Sequence, residues 1–122
     1  MIEGFYNETK PLTEYEEYTL LPVMVKCLSR HKGEEQAVTN KQMCEALENK
    51  GYDVCETRIR KLINYIRING EVDCLIANSK GYFVAESPSE VKSHIRSLLG
   101  REEAIKEVRM ALEEQLKDME NE

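Results

Sequence analysis

"TRIRKLINYIRING", residues 57–70, decides how this chain is read. With Ile59 as reference and a helical advance of about 100° per residue, Leu62, Ile63 and Ile66 fall within about 60° of it. One face is therefore apolar at helical period. Thr57, Lys61 and Asn64 lie on the far side, Arg60 and Arg67 flank one edge, and Arg58 flanks the other. No acid occurs in the stretch, and Asn69-Gly70 ends it with turn chemistry. The pattern predicts a helix with one face in a core and a basic face toward solvent.

Toward the N-terminus, "GYDV" (51–54) is a short linker, and Asp53 with Glu56 three residues on predicts a capping box for that helix. Before it, "AVTNKQMCEALENKG" (37–51) predicts a second helix. It starts at Thr39 or Asn40, turns Met43, Ala46 and Leu47 inward and stops at Gly51. Val38 reads as a one-residue stub of strand. Two short helices joined by about four residues outline a helix-turn-helix. Further back, Thr13 and Glu16 predict a capping box. Tyr18, Leu21, Val25 and Leu28, with Met24 beside them, predict the inward stripe of a first helix that breaks at Gly33. Pro22 falls inside this stripe, either starting the helix one turn later or kinking it.

Toward the C-terminus, "CLIAN" and "GYFVAE" read as a β-hairpin turned by Asn78 and Gly81. Tyr82 and Phe83 alternate, one toward the core and one supporting the outer side. Ser87-Pro88 opens a last helical pattern, carried by Val91, Ile95, Leu98, Ile105, Val108, Leu112 and Leu116. Gly100 interrupts it, so the segment is two helices or one long bent one.

The 122 residues suit one domain with an appended element, and the net charge is −6. That charge is segregated: residues 1–25 sum to −4, 26–70 to +3, 71–100 to −1 and 101–122 to −4. A basic middle between acidic ends is compatible with nucleic-acid binding despite the total. No apolar run is long enough for a membrane span, and the first residues do not have the pattern of a signal peptide. The four cysteines contain no CxxC, so reduced thiols and a cytoplasmic location are expected. Cys27 and His31 have metal-compatible spacing, but no second pair follows, and neither a metal nor another cofactor is expected. No nucleophile, phosphate-loop or metalloprotease motif is present, and the chain is not expected to be an enzyme.

Three helices followed by a two-stranded hairpin make an α+β chain, mainly helical. "VTNKQMCEAL", "ETRIRKLINYIRING" and "CLIANSKGYFVAES" together resemble the winged helix-turn-helix DNA-binding modules of bacteria and phages. Small phage and prophage winged-helix proteins and the N-terminal module of biotin-type repressors are among them. The resemblance covers about residues 13–98. It implies a three-helix core with a β-hairpin wing; a flexible acidic segment (1–12) is expected before it and a C-terminal helix (99–122) after it. Cys55 stands where members usually carry Ser or Thr, and Glu56 dilutes the basic surface.

The resemblance further implies a recognition helix in the major groove of double-stranded DNA and a wing on the adjacent groove or backbone. Thr57, Lys61 and Asn64 would face bases, and Arg58, Arg60 and Arg67 phosphates. Asn78, Ser79 and Lys80 would act at the wing, and Lys41 and Gln42 at the positioning helix. A transcriptional regulator or a phage replication or accessory factor fits this reading. The alternative is a non-catalytic protein–protein interaction module on the same scaffold, for which the net charge is the best argument. The C-terminal helix either folds back on the domain or pairs with a second copy; a homodimer is favoured, because two modules on a palindrome bind better than one.

Overall fold

The computed structural model describes residues 10–122. The described residues are mainly helical (66%) with one small two-stranded antiparallel sheet. The chain divides into two units, one ending at Glu86 and the other running from Ser87 to Glu122. Of the acidic segment expected over residues 1–12, the first nine lie outside the described residues. Leu12 packs against the core of the first unit.

The first helix is capped as the sequence predicts. The Thr13 hydroxyl accepts the Glu16 N–H at 3.2 Å, and the Glu16 carboxylate accepts the Thr13 N–H at 2.9 Å. A π-helical turn, Glu16–Leu20, then leads into α1, Leu21–Leu28. In that turn the Leu21 N–H donates to the carbonyl of Glu16, five residues back. Pro22 follows at once, and its ring crowds the carbonyl four residues earlier, so a widened turn accommodates it without breaking the helix. The wider turn also shifts the phase of the buried stripe. Leu20, Met24 and Leu28 are fully buried, whereas Tyr18, expected inward, is 73% exposed.

After a 3₁₀ turn at Glu34–Gln36 comes α2, Asn40–Asn49. Thr39 caps it in a complete capping box with Gln42. α3, Glu56–Asn69, begins differently from expectation. Cys55 is its N-cap with no side-chain bond, so the Asp53–Glu56 box does not form. Asp53 is taken up elsewhere: its N–H donates to the Tyr15 hydroxyl at 2.8 Å, and its carbonyl accepts from Arg58 at 3.0 Å. Gly70 closes α3 in the left-handed conformation, φ 66°.

The hairpin comprises β1, Leu75–Asn78, and β2, Gly81–Val84, in the register Leu75↔Val84 to Asn78↔Gly81. Val38 does act as a strand stub, with its N–H and carbonyl both bonded to Tyr82 at 3.0 and 2.8 Å. Further along the same edge of β2, Val84 bonds the backbone of His31 and Gly33 at 2.7 and 2.8 Å. Phe83 is 1% exposed and enters the core, while Tyr82 turns its hydroxyl to Asn40 at 3.1 Å. Ile59, Leu62 and Ile66 of α3 meet Met24, Leu28 and Met43 in one continuous cluster. Each such side chain contributes about 1.5–3 kcal/mol on burial.

The second unit is a single helix, α4, Pro88–Glu120, capped by the Ser87 hydroxyl. Gly100 does not end it. The segment expected as residues 99–122 is therefore the continuation of a helix that begins at Pro88. Among the described residues no helix is long and apolar enough to cross a membrane.

Candidate nucleic-acid interface

The circumference of α3 is shared among three environments. Its apolar face is in the core. The second sector, carrying Arg58 and Lys61, lies against the start of the first helix. Only the third faces outward.

Lys61, expected to point furthest from the core, is instead buried, its side chain 10% exposed. Its ammonium donates to Glu16 Oε1 at 2.6 Å. Arg58 Nε donates to the other oxygen of the same carboxylate at 2.9 Å. The Arg58 guanidinium also lies 5.3 Å from the centroid of the Tyr15 ring and reaches the Asp53 carbonyl. The reason is the phase of the first helix. Glu16 stands four residues before Leu20 on the stripe that continues through Met24 and Leu28, and is itself 2% exposed. A carboxylate delivered to that depth draws in the two cations of α3 nearest to it. Burial pushes the Glu16 carboxyl up, but the bonds from Lys61, the Thr13 N–H and Arg58 outweigh it and hold the group below its ordinary value of 4.5.

What remains on the outward edge of α3 is a line of four polar residues, with the exposed Glu56 one turn before Arg60 on the same side. Arg60 is exposed, and Thr57, Asn64 and Arg67 are half-buried. Arg60 Nη2 donates to Thr57 Oγ1 at 3.3 Å. The positions 57, 60, 64 and 67 step along one side of the helix for three turns. Asn40 of α2 donates to the Glu56 carbonyl at 3.1 Å and accepts from Tyr82 of β2. One side chain thereby ties α2, the start of α3 and the hairpin together.

The hairpin tip is not the bare basic point the sequence suggests. Lys80 Nζ lies 3.3 Å from Glu34 Oε1, and Asn78 Nδ2 donates to Glu34 Oε2 at 3.4 Å. Asn78 also accepts the Lys80 N–H at 2.9 Å, which fixes the two-residue turn. Ser79 is exposed between them, as is Lys41 on the first turn of α2. Gln42 is exposed as well, but its side-chain oxygen closes the cap with Thr39.

Two residues that shape this surface, Glu16 and Glu34, were not among the expected site residues. Glu16 was legible only as a capping partner. Its i, i+4, i+8 relation to Leu20 and Met24 was the signal that it also turns inward. Glu34 gives no such signal, because its contact with the hairpin depends on a chain reversal at Gly33, φ 86°. No protein-family model, curated protein sequence or solved structure matches this chain.

Proposed function

We propose that the first unit is a winged helix-turn-helix that binds double-stranded DNA, as a transcriptional regulator or a phage replication or accessory factor. In this reading α3 lies in the major groove and the β1–β2 hairpin serves as the wing. The observation that carries it is the outward edge of α3: Arg60 and Arg67 stand two turns apart with Asn64 and Thr57 on the same edge. That spacing suits arginines on phosphate or guanine and an asparagine on adenine. Support also comes from Asn40, which holds α2, α3 and the hairpin as one module, so that all three approach a duplex together.

The buried ion cluster narrows the set of contacts. Lys61 and Arg58 hold the fold through Glu16, so their role is to fix α3 and not to read bases. Lys80 and Asn78 meet DNA only by exchanging Glu34 for phosphate, which leaves Arg60, Arg67 and Lys41 as the phosphate contacts of this reading. Three phosphate contacts give a salt slope near −2.7, hence roughly 40-fold weaker binding between 50 and 200 mM salt.

The test is fluorescence anisotropy of labelled duplex DNA with the wild-type chain and with Arg60→Ala/Arg67→Ala. Both positions lie outside the Glu16 cluster, and circular dichroism with a urea midpoint for the double variant separates loss of binding from loss of fold. Binding that weakens with salt and disappears in the double variant supports the proposal. Binding that survives the double variant, or no binding to random-sequence or operator-enriched pools, removes it in favour of a protein-interaction module.

A further inference from the structure

α4 has 33 residues and no buried side chain. Along it Val91, Leu98, Ile105, Leu112 and Met119 recur at intervals of seven, with Ile95 and Leu116 on the same seam. Ile105 is 70% exposed, Leu112 58% and Met119 71%. A strict seven-residue repeat does not match the 3.6-residue turn of a straight helix, and it stays on a contact line only when helices supercoil around each other. From Val91 to Met119 the seam runs about 42 Å at about 1.5 Å per residue. Among the described residues of the first unit, only Tyr18 and Ile68 are exposed large hydrophobics, and two such residues make no seam of that length. The seam that has the same length and repeat is the one on another copy of this chain.

The charges in the seam choose the orientation. The alternating spacing of four and three that links Ile95, Leu98, Ile105, Leu112, Leu116 and Met119 also runs through Glu102 and Arg109. In a parallel pair each of these meets its own copy, so that Glu102 faces Glu102 and Arg109 faces Arg109 in a desolvated seam. Reversing one helix, with Leu98 opposite Leu116, brings Glu102 of each copy within one turn of Arg109 of the other. The reversal removes two like-charge encounters and creates two opposite-charge pairs. Arg109 bonds Glu113 of its own helix at 2.5 Å, but both side chains are more than half exposed, and such a pair exchanges partners at little cost.

We propose that α4 pairs with α4 of a second copy as an antiparallel coiled coil, with Glu102 and Arg109 forming reciprocal ion pairs across the seam. The proposal is independent of DNA binding.

Sedimentation velocity of the full chain over a hundredfold range of concentration tests it, with circular dichroism to show that α4 persists. The wild type is expected to sediment as a dimer at the upper end. Glu102→Arg then faces Arg109 of the other copy, and the dissociation constant rises by roughly tenfold or more. Adding Arg109→Glu to the same chain restores the dimer. In a parallel pair the single substitution only exchanges one like-charge contact for another, so a dimer indifferent to Glu102→Arg overturns the orientation. A wild type that stays monomeric throughout overturns the second copy as the partner of the seam.

Discussion

Glu16 and Lys61, separated by 45 residues in sequence, meet at 2.6 Å as the only buried charged pair among the described residues. The carboxylate also receives Arg58, so three charges lock the start of the first helix onto α3. Breaking a buried pair costs more than the pair itself contributes, because the remaining ion keeps its desolvation penalty. Glu16→Gln is therefore expected to cost about 3–5 kcal/mol in urea unfolding, since it strands the Lys61 ammonium. Glu16→Leu combined with Lys61→Met removes both charges and is expected to cost less than Glu16→Gln alone. A double substitution more damaging than the single one contradicts this account. Arg60→Ala, on the exposed edge of the same helix, is expected to change stability by no more than about 0.5 kcal/mol.

The same carboxylate makes stability depend on acid in a defined direction. Its value in the folded protein lies below 4.5, whereas in the unfolded chain it returns to the ordinary range. Between the two values the unfolded state binds more protons, so stability falls as pH falls. The contribution is fully present above pH 4.5 and is lost as pH drops through the folded value. Urea midpoints measured from neutral pH downward should show a fall that is steeper in the wild type than in Glu16→Gln. Equal slopes in the two proteins would remove Glu16 as the source.

These two predictions also mark where the sequence was legible. Caps and turns at Thr13, Thr39, Gly51, Gly70 and Asn78 were readable because they depend on neighbours within a few residues. Val38 was readable as a strand stub for a similar reason, as an apolar residue set just before a cap. The apolar face of α3 also emerged from its period. The fate of Arg58 and Lys61 did not, because a helical wheel gives the direction of a side chain but not what packs over it. The phase of the first helix was hidden by the π turn before Pro22. Displacing the stripe by about one residue puts Leu20 and Met24 in place of Leu21 and Val25, and it turns Tyr18 outward and Glu16 inward. Asp53 looked like a cap by spacing alone, yet its backbone N–H is used by Tyr15, 38 residues away. Long-range partners decided each of these cases.

Gly81 is where the hairpin meets the strand stub. Its φ is 126°, and a Cβ there would stand 2.5 Å from the Val38 carbonyl oxygen and 2.7 Å from its carbon. Both obstacles are backbone, so neither can swing aside. Gly81→Ala therefore forces the hairpin away from Val38 and strains a backbone conformation that L-residues rarely adopt, at about 1–3 kcal/mol for the strain alone. The loss should appear as faster hydrogen exchange at the Val38 and Tyr82 amides. Gly51→Ala is the comparison. Its φ is 91° but nothing lies within 4 Å of the added carbon, so only the strain remains and those amides keep their protection.

Cys44 supplies a chemical clock for the whole unit. It is 7% exposed and donates to Glu48 at 3.4 Å. Burial, and then the bond and charge of Glu48, push its thiol up to about 11. Thiolate is the reactive form, so at pH 8 Cys44 is both shielded and protonated. Cys55 and Cys74 are exposed. Iodoacetamide is therefore expected to modify Cys55 and Cys74 promptly, as read by peptide mass spectrometry, while Cys44 reacts only through unfolding. In that regime its rate follows the population of the open state. Glu16→Gln, at about 3 kcal/mol or more, should accelerate Cys44 modification on the order of a hundredfold and leave Cys55 and Cys74 unchanged. If Cys44 is alkylated as fast as Cys55 in the wild type, the packing of α2 against α3 is looser than its burial indicates. A slow but unaccelerated Cys44 would instead separate α2 from the Glu16 cluster, as part of a different cooperative unit.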